Sequence, residues 1–88
     1  MRFVINKQML PNFKDALLLC LLKLEKEQQY ILKNMADDVL CILSTAHSIN
    51  ELLDAIVLNN KFPISIMEDA IEAFIFFAFI DKLIVLSN

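Results

Sequence analysis

The chain carries a single histidine, His47, next to Ser48 in the stretch "TAHSIN". Histidine serves as a general base and as a metal ligand, but either task needs partners at defined spacing. No second histidine or cysteine stands at ligand spacing from it, so His47 reads as a solvated turn residue and no metal site is expected. The two cysteines, Cys20 and Cys41, lie inside apolar runs without a CxxC spacing. They read as small buried hydrophobes ahead of a disulfide or redox pair. Asp37 with Asp38, and Glu68 with Asp69, are adjacent carboxylates. Each pair opens an expected helix, where the dipole favours negative charge, so capping accounts for them without acid–base chemistry. Glycine is absent altogether, and with it any Gly-rich phosphate or oxyanion loop. With no nucleophile–base pair to build, neither an enzyme nor a cofactor is expected.

The elements that position these residues are marked best in the second half. "SINE" at 48–51 has the form of a capping box, with Ser48 accepting from the N3 amide and Glu51 reaching back. "SIME" at 65–68 repeats it, and "NMAD" at 34–37 is a weaker variant with Asn34 as cap. Helices are therefore expected at about 35–44, 49–58 and 66–82. Asn59 and Asn60 are the expected left-handed stop of the second, and Pro63 lies just outside the third. "LIVLS" at 83–87 is either extended or a frayed continuation.

Residues 1–33 admit two readings. "RFVIN" at 2–6 is β-like, with aromatic and β-branched residues. Propensity alone makes 14–33 one helix. Against that, "ALLLCLLKL" at 16–24 lacks a polar helical face until Lys23, which suits a strand buried on both sides. "EKEQQ" at 25–29 then resembles a hairpin tip, followed by the alternating "YILK". The hairpin is the preferred reading, with strands at about 2–6, 16–24 and 28–33.

Bulk properties narrow the classes further. At 88 residues the chain makes one domain, 1–88, without room for an enclosed active site. A hydrophobic content of 58% argues against disorder. The net charge of −3 argues against a non-specific grip on nucleic acid. The run at 17–22 is too short and too late for a signal peptide, and no apolar stretch approaches the roughly 20 residues of a bilayer crossing. A cytoplasmic location is expected.

Three segments carry a resemblance. "Leu32-x3-Ala36-x2-Val39-x3-Leu43", "SINELLDAI" and "MEDAIEAFIFFAFIDKLI" together resemble the strand-to-helix signature, second helix and long last helix of PqqD-like domains. The likeness covers about 16–84. Lys33 stands at that family's usual asparagine, no glycine occupies the turn at 45–47, and Lys82 replaces a glycine before Leu83. Such domains are recognition elements of bacterial ribosomal peptide pathways, and the stand-alone proteins of lasso-peptide clusters are closest in length and layout. The resemblance implies an α+β fold: a small winged helix-turn-helix-like domain, a three-stranded antiparallel sheet followed by three helices. It implies a non-catalytic adaptor that binds a precursor's leader peptide by strand addition and presents it to a peptidase or other modifying enzyme. The leader would lie along Gln28, Gln29, Tyr30, Ile31, Leu32 and Lys33, against Met67, Ala70, Ile71 and Phe74.

The residues themselves point to a partner at one place. On a helical wheel, Met67, Ala70, Ile71, Phe74, Ile75 and Ala78 form one stripe, enough to pack the last helix on its own domain. Ala73, Phe76, Phe79 and Ile80 lie largely off that stripe. They are either covered by the second strand or the N-terminal arm, or form an interface. Phe76, Phe79 and Ile80 are the candidate dock for a partner enzyme. An all-helical interaction module, with 14–33 helical and a homodimer through this Phe-rich face, is the alternative. A winged-helix DNA-binding role is disfavoured, because the last helix carries Glu68, Asp69, Glu72 and Asp81 against Lys82 alone.

Overall fold

The computed structural model describes residues 1–58 and 62–87. The elements are β1 (Arg2–Ile5), a short 3-10 helix (Lys7–Asn12), α1 (Phe13–Leu21), α2 (Lys26–Ile42), α3 (Ile49–Val57), α4 (Ile64–Ile80) and β2 (Ile84–Ser87). The expected three-stranded sheet followed by three helices is therefore overturned: among the described residues the fold has four α-helices and a two-stranded antiparallel sheet. The proposed stop at Asn59 and Asn60 lies outside the described residues.

The correction falls on 16–33, where the expected hairpin is two helices. In α1 and the turn after it, Phe13, Leu17, Cys20, Leu21 and Leu24 are buried. These positions recur every three or four residues, which is a helical stripe. The missing polar face does not reflect a strand buried on both sides: Leu18, Leu19 and Leu22 are simply exposed. The polar block "EKEQQ" is a helix start rather than a hairpin tip. The Gln28 side chain accepts from the Glu25 amide at 3.3 Å, and the Gln29 side chain donates to the Leu24 carbonyl at 2.9 Å. Asn34 does not cap a helix. Its amide donates to the Tyr30 carbonyl at 2.8 Å, one turn back inside α2. The expected helix at 35–44 is thus the second half of a longer one, whose buried residues Ile31, Leu32, Met35 and Val39 keep one phase across position 34.

The second half follows its local signals more closely. At α3 the Glu51 amide donates to Ser48 Oγ at 3.2 Å, and the Ser48 amide donates to Glu51 Oε1 at 2.9 Å, closing the capping box. These bonds, above all those with Ser48, hold the Glu51 carboxyl below its usual range, so the cap loosens as pH falls through that lowered value. The second box is not formed. α4 starts at Ile64 with Pro63 in the cap position, which places Ser65 inside the first turn without a capping bond.

α4 ends in a Schellman arrangement. The Lys82 amide donates to the Phe79 carbonyl at 3.2 Å, and the Leu83 amide to the Ala78 carbonyl at 2.8 Å. This requires a left-handed residue, and Lys82 has φ 63°. The reversed chain then runs as β2 against β1, in the register Arg2 to Ser87, Phe3 to Leu86, Val4 to Val85 and Ile5 to Ile84. On its other side β1 is held by Phe3, which exchanges backbone hydrogen bonds with His47 at 2.7 and 2.9 Å. The histidine so placed is a backbone splice between β1 and the start of α3. The core lies where α1, α2 and α3 converge on α4.

Lys82→Gly is expected to stabilise the domain. The left-handed conformation costs an L-residue about 1–2 kcal/mol, part of which is offset by glycine's greater freedom in the unfolded chain. A gain of about 0.5–1 kcal/mol in urea unfolding is the expected balance. A loss would mean that position 82 does not hold the left-handed turn.

Candidate functional site

Two sets of residues were singled out from sequence, and the structure places them differently. Gln28, Gln29, Tyr30, Ile31, Leu32 and Lys33 all lie on the first turns of α2, so their backbone amides belong to a helix and offer no strand edge. Ile31 and Leu32 are buried, as are Met67, Ala70, Ile71 and Phe74 of α4. These six side chains meet in the core, where α2 packs against α4, rather than lining an open groove. Tyr30 points away from them. It is exposed and packs edge-on against Phe62 with ring centroids 6.2 Å apart. A hydrogen-bonded strand partner along 28–33 therefore has nothing to pair with.

The second set, Phe76, Phe79 and Ile80, is at the surface. Their exposures are 61%, 45% and 54%, high for side chains of this size. The stripe Met67, Ala70, Ile71, Phe74, Ile75 and Ala78 is buried on the opposite side of α4. The helix thus has one face in the core and a second apolar face left over. The N-terminal arm covers part of that second face: Phe79 meets buried Phe3 of β1 edge-to-face, centroids 6.2 Å apart at 78°. The ring contact of Phe76 among the described residues is with its neighbour Phe77, centroids 5.2 Å apart.

Around these rings the chain forms an open hollow of about 270 Å³. Phe3 and Leu86, paired across the sheet, form one wall; Ile49 of α3 and Met1 extend it; Glu72 is its charged rim residue. Phe3, Ile49, Leu86 and Met1 were not singled out from sequence. Period-two alternation in 2–6 and 83–87 carried a signal for Phe3 and Leu86, since Phe3 with Ile5 and Ile84 with Leu86 share a face. What sequence does not supply is the pairing of two segments so far apart.

A second exposed apolar group, Leu18 and Leu19 of α1 with Leu22 just after it, lines another open hollow of about 390 Å³ beside Gln29 and Lys33 of α2. The polar chemistry elsewhere is structural. Asp81 pairs with Lys23 and lies beside buried Cys20, whose thiol is pushed up to about 11 by burial and then by the Asp81 charge. Such a thiol is a poor nucleophile. Cys41 is exposed, and the cysteines are not joined. Among the described residues no group of three or more His, Cys, Asp or Glu side chains is placed to hold a metal. Among the same residues no helix is long and apolar enough to cross a membrane.

No family model, curated protein or solved structure matches the chain. The surface must therefore be read on its own geometry.

That geometry separates the two rings energetically. Phe76→Ala is expected to change stability by no more than about 0.5 kcal/mol, as for an exposed position. Phe79→Ala, which loses its edge contact with Phe3 as well as partial burial, is expected to cost about 1–2 kcal/mol. Chemical unfolding of the two variants checks this order. Equal losses, or a large loss at Phe76, would put both rings in the core.

Proposed function

We propose that this chain is a protein–protein interaction module that docks a partner on the second apolar face of α4. The observation that carries this reading is the arrangement of Phe76, Phe79 and Ile80 around the hollow walled by Phe3, Ile49 and Leu86. Isolated exposed apolar residues need no explanation, but a joined group with a concave centre and a charged rim residue is the form that partner surfaces take. Aromatic side chains at the middle of such a surface are its usual anchors. The face is also rigid: it is built on a seventeen-residue helix and braced by the β1–β2 clamp. A preformed surface limits the ordering cost of association.

The leader-peptide role implied by the PqqD-like resemblance is not carried forward in its strand-addition form, because 28–33 is helical and its apolar side chains are in the core. From the alternative the proposal keeps a partner on the Phe-rich face, but not its all-helical fold, since β1 pairs with β2. A partner here contributes apolar side chains to a hollow, and main-chain pairing is not required of it.

A photo-crosslinking phenylalanine analogue at position 76, in the full chain expressed in its own cells, is expected to yield one discrete protein adduct. The same analogue at Glu27, an exposed charged position on α2, should yield none. An identical adduct pattern from both positions, or no adduct from position 76, would contradict the reading.

A further inference from the structure

The sheet leaves one strand edge unpaired, and the hydrogen bonds of β1 identify which groups lie on it. Phe3 exchanges both of its main-chain bonds with His47, and the Ile5 amide donates to the Leu43 carbonyl at 2.9 Å, so both residues turn their amides away from β2. The Asn6 amide, in contrast, donates to the Leu83 carbonyl at 2.9 Å. Alternation along an antiparallel ladder then turns the main-chain groups of Leu83, Val85 and Ser87 towards β1, and those of Ile84 and Leu86 outward. β2 has no strand on that side, and among the described residues no backbone or side-chain bond reaches the outward groups of Ile84 or Leu86. We infer that this edge pairs antiparallel with the β2 edge of a second copy of the chain, about a twofold axis at Val85. The inference goes beyond the docking reading of α4 and stands on main-chain groups rather than on an apolar face.

The edge is unguarded. Free edges are commonly blunted by lysine, by proline or by an inward charge, which stop another strand from adding. Residues 83–88 contain no charged residue and no proline. A twofold axis at Val85 sets Ile84 of each copy opposite Leu86 of the other, so the outward amides and carbonyls of both residues find partners at once. No like charges meet along the strands, and both copies use the same residues, as an isologous contact requires. The two Val85 side chains then stand side by side at the axis. Val85 is exposed, on the face of the sheet opposite to buried Ile84. A directly opposed β-branched pair of this kind favours cross-strand pairing.

The test is sedimentation of the full chain over a range of concentrations, at physiological salt to screen the net acidic charge. Three variants are compared with the native chain: Val85→Lys, Val85→Glu and Leu86→Pro. Circular dichroism follows folding in each. The native chain is expected to dimerise. Each Val85 variant places like charges against each other at the axis and should weaken its own dimer at least about tenfold. Mixing the two Val85 variants sets opposite charges there and should restore association to within about threefold of native. That recovery requires two copies to meet at residue 85. Leu86→Pro removes an outward donor and none of the bonds to β1, so it should weaken the dimer by about tenfold or more while the chain stays folded. A native chain that stays monomeric overturns the second copy as partner. A dimer indifferent to the Val85 variants, or one that mixing them fails to restore, overturns the β2 edge. The same holds for a dimer that survives Leu86→Pro unweakened. If Leu86→Pro unfolds, the Val85 pair still decides, because that side chain lies at the surface.

Discussion

Helix α4 is apolar around most of its circumference, and the other elements are placed by the need to take that surface out of water. From Ala70 to Ile80 its only charged residue is Glu72. α1, α2 and α3 each lay a stripe of buried side chains against it, and β2 folds back on it through the left-handed turn at Lys82. Burying a large aliphatic or aromatic side chain is worth about 1.5–3 kcal/mol, so this packing dominates any single cap or ion pair in the chain. It also explains why the sheet can be so small. Two four-residue strands are marginal by themselves, but here they are fastened to α4 on one side and spliced to His47 on the other.

An 88-residue chain has too little substance to surround such a helix completely. α1, α2 and α3 with a two-stranded clamp cover the stripe that includes Ile71, Phe74 and Ala78 and reach part of Phe79. They leave Phe76 and Ile80 largely in water. The proposed docking face follows from the same surplus that builds the core: one side of α4 organises the domain, and the other stays exposed, where the proposed partner would dock. No charged constellation is needed for the proposed role, and the ion pairs among the described residues serve folding. Ser48 with Glu51 starts α3, and Arg2 with Glu51 ties β1 to it.

What could be read from sequence was what is local. The Ser48 and Glu51 box marks the start of α3, because its partners are three residues apart. The buried stripe of α4 is periodic, so Met67 to Ala78 could be assigned before any contact was known, and the off-stripe aromatics could be recognised as surplus. What misled was equally local. "EKEQQ" has the composition of a turn, yet Gln28 and Gln29 satisfy the first free groups of α2. Asn34 has the chemistry of a cap, yet it bonds one turn back within a helix already under way. The uninterrupted leucines of α1 suggested burial on both sides, because surface leucines at 18, 19 and 22 are not what a soluble helix usually shows. The phase shared by Ile31, Leu32, Met35 and Val39 was the signal that could have corrected this, since a helix boundary at Asn34 would not preserve it. The β1–β2 pairing and the walls of the hollow depend on contacts across almost the whole sequence, and no local pattern encodes them.

The account stands on 26–42 being one continuous helix whose early turns enter the core against α4. The most direct measurement is the set of backbone ¹³Cα chemical shifts, with amide hydrogen exchange, across 16–42 of the native chain. The account predicts helical shifts without a break from Lys26 to Ile42, a second helical run through α1, and slow exchange at Ile31, Leu32 and Met35. Extended-chain shifts at 28–33, with cross-strand contacts to 16–24 and a helix beginning only at 35, would contradict it. That outcome would return the strand edge to the surface.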